Sequence, residues 1–188
     1  MRMQFNEAKA TQAAGQILRH RGGTMSYMKL IKLLYLSDRE ALLRWGRPIT
    51  TDCYVSMDRG PVLSQVYNLI AEDITPGAES AWRKFISPPT SQYEVSLLTA
   101  VVPSDELSVA EERLLEEIYA AHGKKSRWEL VDFVHTLPEW TNPHGSMIPI
   151  EYRDILKAAN RTEAEIAAIE SELEDLALIE MLSTPKTA

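Results

Sequence analysis

Cys53, four histidines and the aspartates Asp38, Asp52 and Asp58 are the candidates for chemistry in this 188-residue chain. A cysteine nucleophile needs a base beside it and a lowered pKa. Nothing in the spacing sets His135 or His144 next to Cys53. The thiol instead alternates with Val55 and Met57, which reads as a buried structural cysteine. A single cysteine forms no internal disulfide and no thiolate metal site. His20, His122, His135 and His144 include no pair at the i, i+4 spacing of a helical zinc site, so no metal is expected. Acid–base catalysis would need two carboxylates at one cleft. Asp38 sits on an apolar helix beside Arg39, where a paired, structural role fits better. Gly-x-Ser-x-Gly and Gly-rich phosphate loops are both missing, so no cofactor is expected. The turn Asp58-Arg59-Gly60-Pro61 could offer the Val62 and Leu63 amides to an anion at a helix start, with Arg59 adjacent. The plainer reading is that Gly60 supplies an unusual φ. These residues favour a binding module over an enzyme.

The elements that carry them are mostly helical. A first helix is predicted over 6–20, with Ala10, Ala13, Ala14, Ile17 and Leu18 on one face and Gly22-Gly23 ending it. A second spans 26–45, with so wide an apolar stripe that it must be central. Residues 52–57 alternate as a strand, and Pro61 is placed to open a helix bearing Val66, Leu69 and Ile70. Residues 82–86 and 93–102 read as a hairpin, joined by 52–57 in one small antiparallel sheet. Capping boxes at Ser108/Glu111, Ser126/Glu129 and Thr162/Glu165 start three more helices, reaching about residues 122, 135 and 182. A rigid proline-bearing loop covers 137–143, and 150–158 is a short helix or turn. The expected fold class is α+β, mostly α-helical: a compact helical domain over 1–160 with a small antiparallel sheet. An acidic helix over 161–182 follows, packed on the domain or on a partner, and then a disordered tail over 183–188.

The length fits one domain, able to bury roughly 70% of its unfolded surface. Hydrophobic residues make up 45% and charged residues 25%, which excludes a disordered chain. No apolar run is long enough to span a membrane, and the N-terminal stretch lacks the apolar centre of a secretory leader. The expected compartment is the cytoplasm. A net charge of −7 argues against general nucleic-acid binding. Charge is nevertheless uneven: residues 161–180 carry seven acids against Arg161, whereas 19–47 carry seven bases against Asp38 and Glu40. Either the two faces are simply solvated, or one of them docks a charged partner. A helix–loop–helix over 6–45 could in principle meet DNA, but its second helix is too apolar for a groove.

The run Lys29-Leu30-Ile31-Lys32-Leu33-Leu34-Tyr35-Leu36-Ser37-Asp38-Arg39 is followed by Gly46-Arg47-Pro48-Ile49. Asp52-x-Tyr54-Val55-Ser56-Met57, then Gly60-Pro61-Val62-Leu63-Ser64-x-Val66-Tyr67, and finally His135 and Trp140 complete an ordered series. It resembles the Panacea, or SocA-like, antitoxin domain over about residues 6–158. Ser37 departs from the alanine common before the aspartate, and the acidic helix after Asn160 lies outside the pattern.

The resemblance implies a non-enzymatic antitoxin, in a bacterial or phage setting, that neutralises a cognate protein toxin by direct stoichiometric binding. The toxin would be encoded by the adjacent gene. Two alternatives stay open: a proteolytic adaptor delivering the toxin to a protease, and a DNA-binding regulator. A homo-oligomer also stays open. It implies a mostly helical fold with a small sheet, in which Lys29, Leu33, Leu34, Tyr35, Asp38, Asp52, Tyr54, Gly60, Pro61, Val62, Tyr67, His135 and Trp140 are scaffold. Partner-facing positions would then be exposed ones, namely Arg39, Arg44, Arg47, Arg59, Glu172 and Asp175.

Overall fold

The computed structural model describes residues 3–71 and 79–183. Helix α1 (Glu7–His20) starts where the Asn6 side chain accepts from the Lys9 amide at 2.9 Å. It buries Ala10, Ala13, Ala14, Ile17 and Leu18, as its periodicity predicts. Gly22 and Gly23, both at positive φ, turn the chain into the short strand β1 (Thr24–Ser26). Helix α2 (Tyr27–Trp45) then runs through the centre, burying Leu30, Leu33, Leu34, Tyr35 and Leu42 on several sides. Gly46, left-handed at φ 72, caps it by donating to the Leu42 carbonyl at 2.9 Å.

Strands β2 (Tyr54–Met57) and β3 (Gly60–Leu63) form a hairpin, with Val55 opposite Val62. Pro61 therefore lies in a strand rather than opening a helix, and helix α3 (Ser64–Ile70) begins three residues later than expected. β3 is an edge strand, where a missing proline N–H disturbs the ladder least. The buried side of β2 is also the reverse of the expected one. Tyr54 and Ser56 face the core, while Cys53 is exposed.

Residues 82–86 are not a strand. Helix α4 (Ala81–Phe85) occupies them, its start held by Glu7, whose carboxylate accepts from the Ser80 hydroxyl at 2.7 Å and the Trp82 amide at 3.0 Å. Only Ile86 keeps a bridge, to Leu97. Of the strand expected over 93–102, Glu94–Ser96 remains as β4, and it pairs with β1. The expected single sheet is thus two: β1–β4, and β3–β2–β5, the last strand being Ile148–Ile150.

The three capping boxes hold. They open helices α5 (Val109–His122), α6 (Arg127–Val134) and α8 (Glu163–Ser183). The short helix α7 (Tyr152–Ala158) precedes α8 and packs against it. The result is a mostly helical α+β domain with small antiparallel sheets, eight helices among the described residues. α2 packs on α1, α5, α6, α7 and β3, and so reaches most of the molecule. α8 seats Ile166, Leu173 and Ala177 on the body but exposes Leu178, Ile179, Met181 and Leu182. Of the tail expected to be disordered, Ser183 closes α8 and residues 184–188 lie outside the described residues. Among the described residues, no helix is long and apolar enough to cross a membrane.

Candidate functional site

α2 sends polar side chains to the end of α5, to β3, to the loop holding Glu139 and to the loop before β2. Lys29 Nζ donates to the Gly123 and Lys125 carbonyls, both at 2.6 Å, just past the C-terminal end of α5. A cation there complements the helix dipole. Lys32, 1% exposed, donates to the Pro61 carbonyl at 2.7 Å and so ties α2 to β3. Burial pushes its ammonium down to about 7, since charge without a counter-ion is costly in the interior. Tyr35 donates to Glu139 Oε1 at 2.9 Å, and Arg39 clamps both Glu139 oxygens at 2.7 and 3.3 Å. Burial raises the Tyr35 phenol, and the Glu139 carboxylate raises it further. Burial alone would lower Arg39, but its bonds to Glu139 outweigh that.

Asp38 faces the loop before β2. Its carboxylate accepts from the Ile49 and Thr50 amides, both at 3.0 Å, from Tyr54 Oη at 3.0 Å and from the Thr50 hydroxyl. Burial lifts its pKa to about 7 against the pull of these bonds. Asp52 acts in the same way at the far end of the hairpin. It accepts from the Gln65 and Val66 amides at 2.9 and 3.0 Å and from the Cys53 amide at 2.6 Å. The amides at the start of α3 are therefore taken by the chain's own carboxylate. Val62 and Leu63 lie in β3, so the anion site considered from sequence is not formed there.

Gly60 has φ 94, and a Cβ on it would lie 2.5 Å from Val134 Cγ2. Only glycine fits that approach of hairpin and α6. His135 follows α6 and stacks on Trp140 with ring centroids 4.0 Å apart. Trp140 Nε1 donates to the Met57 carbonyl at 3.1 Å, and the Thr141 amide donates to Ser56 at 3.2 Å. The His135–Trp140 loop thus packs on the hairpin turn.

The structure brings Asp38, Asp52 and Cys53 near one another around Tyr152, but packs His20, His122 and His135 elsewhere. Cys53 does not lie in the core; it lines an open cleft of about 680 Å³ between Tyr54, Tyr152 and α8. His135 packs on Trp140, His122 on Phe133 and His20 on Tyr119. Among the described residues, no cluster of three or more His, Cys, Asp or Glu could hold a metal ion.

Of the positions expected at the surface, Arg39 is instead drawn into the scaffold by Glu139. Arg44 is exposed but pairs with Glu40 and Glu117, both at 2.7 Å. Arg47, Arg59, Glu172 and Asp175 are exposed, Arg59 with its guanidinium carbon 5.5 Å from the Trp128 ring centre. Tyr67 and Val62 line a smaller cleft of about 300 Å³ with Lys32 and Arg59. Sequence reasoning missed Glu139, Thr50 and Trp128. Glu139 is the only charged residue of the proline-bearing loop 137–143, which is the one local hint that it must be paired.

A family model described as "Antitoxin SocA-like, Panacea domain" matches residues 30–141. That stretch runs from α2 through the hairpin to the loop holding Glu139 and Trp140. Comparison with curated proteins and with solved structures returns no match. The motif series, its inward-facing polar framework and the family match agree: the chain belongs to the SocA-like antitoxin family and carries its Panacea domain.

Proposed function

We propose that this protein is an antitoxin that neutralises a cognate protein toxin by direct, stoichiometric binding. The observation that carries the reading is the family match over 30–141. Supporting it, most polar groups of the motif are satisfied inside the fold. Lys29, Lys32, Tyr35, Asp38, Asp52 and Trp140 all have partners within the chain. Such residues set the frame, and recognition falls to exposed ones. Arg47, Arg59, Glu172 and Asp175 are the proposed contacts, with Arg44 available once its surface pairs open. Surface ion pairs of that kind are worth about 1 kcal/mol or less, so a partner displaces them readily. The role is non-enzymatic, the toxin comes from the adjacent gene, and the pair meets in the cytoplasm.

The test is growth of cells expressing the adjacent gene's product, with and without this protein at graded ratios. Rescue that tracks equimolar expression supports sequestration. Rescue persisting at large toxin excess sinks it. Loss of the toxin with time, together with failure in a protease-deficient host, would instead make the protein an adaptor. Retention on DNA at low salt without rescue would make it a regulator.

A further inference from the structure

Where α2, the β2–β3 turn and the loop at Gly145-Ser146 meet, a cleft of about 300 Å³ opens beside Arg59. Its walls are apolar and aromatic: Ile31, Met57, Val62 and Tyr67 line it. The ionisable groups along it are Lys32, Asp58 and Arg59. Lys32 lines it and has one acceptor, the Pro61 carbonyl, and no carboxylate partner among the described residues. Arg59 is exposed and forms no ion pair among the described residues. Asp58 also lines the cleft, but its carboxylate accepts from the Gly145 amide at 2.8 Å. Just outside, Trp128 is 50% exposed between two guanidinium groups, with Arg59 and Arg127 at 5.5 and 5.3 Å from its ring centre.

Tryptophan, tyrosine and arginine around a small concave apolar site are the side chains that concentrate binding energy in protein interfaces. A space of this size takes one or two side chains rather than a whole helix. Arg59, a cation with no ion pair among the described residues, asks for an anion, and a planar guanidinium prefers a carboxylate it can meet with two bonds. Resting on the antitoxin reading above, we infer that this cleft is where the protein partner docks, through a segment that seats an apolar side chain between Ile31 and Tyr67 and sets an Asp or Glu carboxylate on Arg59. The acidic α8 would repel the same segment, so the cleft and α8 serve different parts of a partner.

The experiment is calorimetric titration of the full chain with the purified product of the adjacent gene, using wild type, Arg59→Glu, Arg59→Lys, Tyr67→Ala and, as a surface control on α5, Arg113→Glu. Thermal melting first confirms that each variant folds. Arg59→Glu and Tyr67→Ala should each weaken Kd by about tenfold or more, as interface anchors do. Arg59→Lys should lose less, and Arg113→Glu should stay within about twofold, like most surface changes. Wild-type binding retained by both Arg59→Glu and Tyr67→Ala would overturn the cleft and leave the antitoxin reading standing. Absence of any wild-type binding would overturn the antitoxin reading, and the cleft with it. A parallel arm with duplex DNA at low salt separates carboxylate from phosphate. DNA retention abolished by Arg59→Glu, with toxin affinity unchanged, would assign the cleft to phosphate and overturn the inference.

Discussion

Asp38 on α2 and Tyr54 on β2 meet across the core, the phenol donating to the carboxylate at 3.0 Å. The same carboxylate takes the Ile49 and Thr50 amides, so one side chain fixes the path of the chain between helix and hairpin. Asp38→Ala leaves two buried amides and two hydroxyls without their acceptor. The expected loss is on the order of 3–5 kcal/mol. Asp38→Asn keeps one oxygen for the amides and should lose about 1–2 kcal/mol. Urea unfolding of both variants checks this, and equal losses would show that the carboxylate is not the organising acceptor.

Lys32 gives the fold a pH dependence of predictable sign. Its ammonium titrates near 7 when folded, against an ordinary value of 10.5. Between those values the unfolded chain holds a proton that the folded one has released, so this group's contribution to stability rises with pH. It is fully present above 10.5 and is lost as pH falls through 7. Subtracting the stability of Lys32→Met from that of wild type should therefore give a difference that climbs from neutral pH upward. Parallel curves for the two proteins would mean that Lys32 stays charged inside the fold.

Gly60 allows no side chain. Its φ is 94, and the added methyl of alanine would sit 2.5 Å from Val134 Cγ2 on α6. Left-handed backbone strain costs about 1–2 kcal/mol and overpacking about 1–3 kcal/mol, so Gly60→Ala should lose about 2–5 kcal/mol. The denaturation midpoint measures it. A change below about 0.5 kcal/mol, the range of ordinary surface substitutions, would show that hairpin and α6 can move apart.

The contrast between α2 and α4 shows what was legible in the chain. α2 announces itself through a local apolar stripe ended by Gly46, and α5, α6 and α8 through capping boxes only four residues long. α4 reads as a strand because it is only five residues long and its cap, Ser80, is itself held by Glu7, far upstream, whose carboxylate also receives the Trp82 amide. β1 and β5 are three residues each, too short to show a period, and exist through their partners Glu94–Ser96 and Tyr54–Ser56. Cys53 reads as buried because alternation gives two faces without saying which is inside. The Tyr54–Asp38 bond decides it. The scaffold residues of the site were legible as a series, whereas Glu139 was not. Its partners Tyr35 and Arg39 lie about a hundred residues away, beyond any local pattern.

That long-range pair is itself testable. Glu139 has no exposed side-chain surface, and both its oxygens are engaged by Arg39. Glu139→Gln removes the charge and strands a half-buried guanidinium, which for a buried pair costs about 3–5 kcal/mol. Arg39→Met alone strands the carboxylate, held then only by Tyr35, with a similar loss. Removing both together, in Arg39→Met with Glu139→Gln, leaves no uncompensated charge. The double variant should therefore be more stable than the sum of the single losses predicts, by about 1–3 kcal/mol of coupling. Thermal and urea unfolding of the four proteins completes the cycle. Additive losses would show that the loop holding Glu139 is fixed by the Trp140–Met57 contact and the His135 stack rather than by charge.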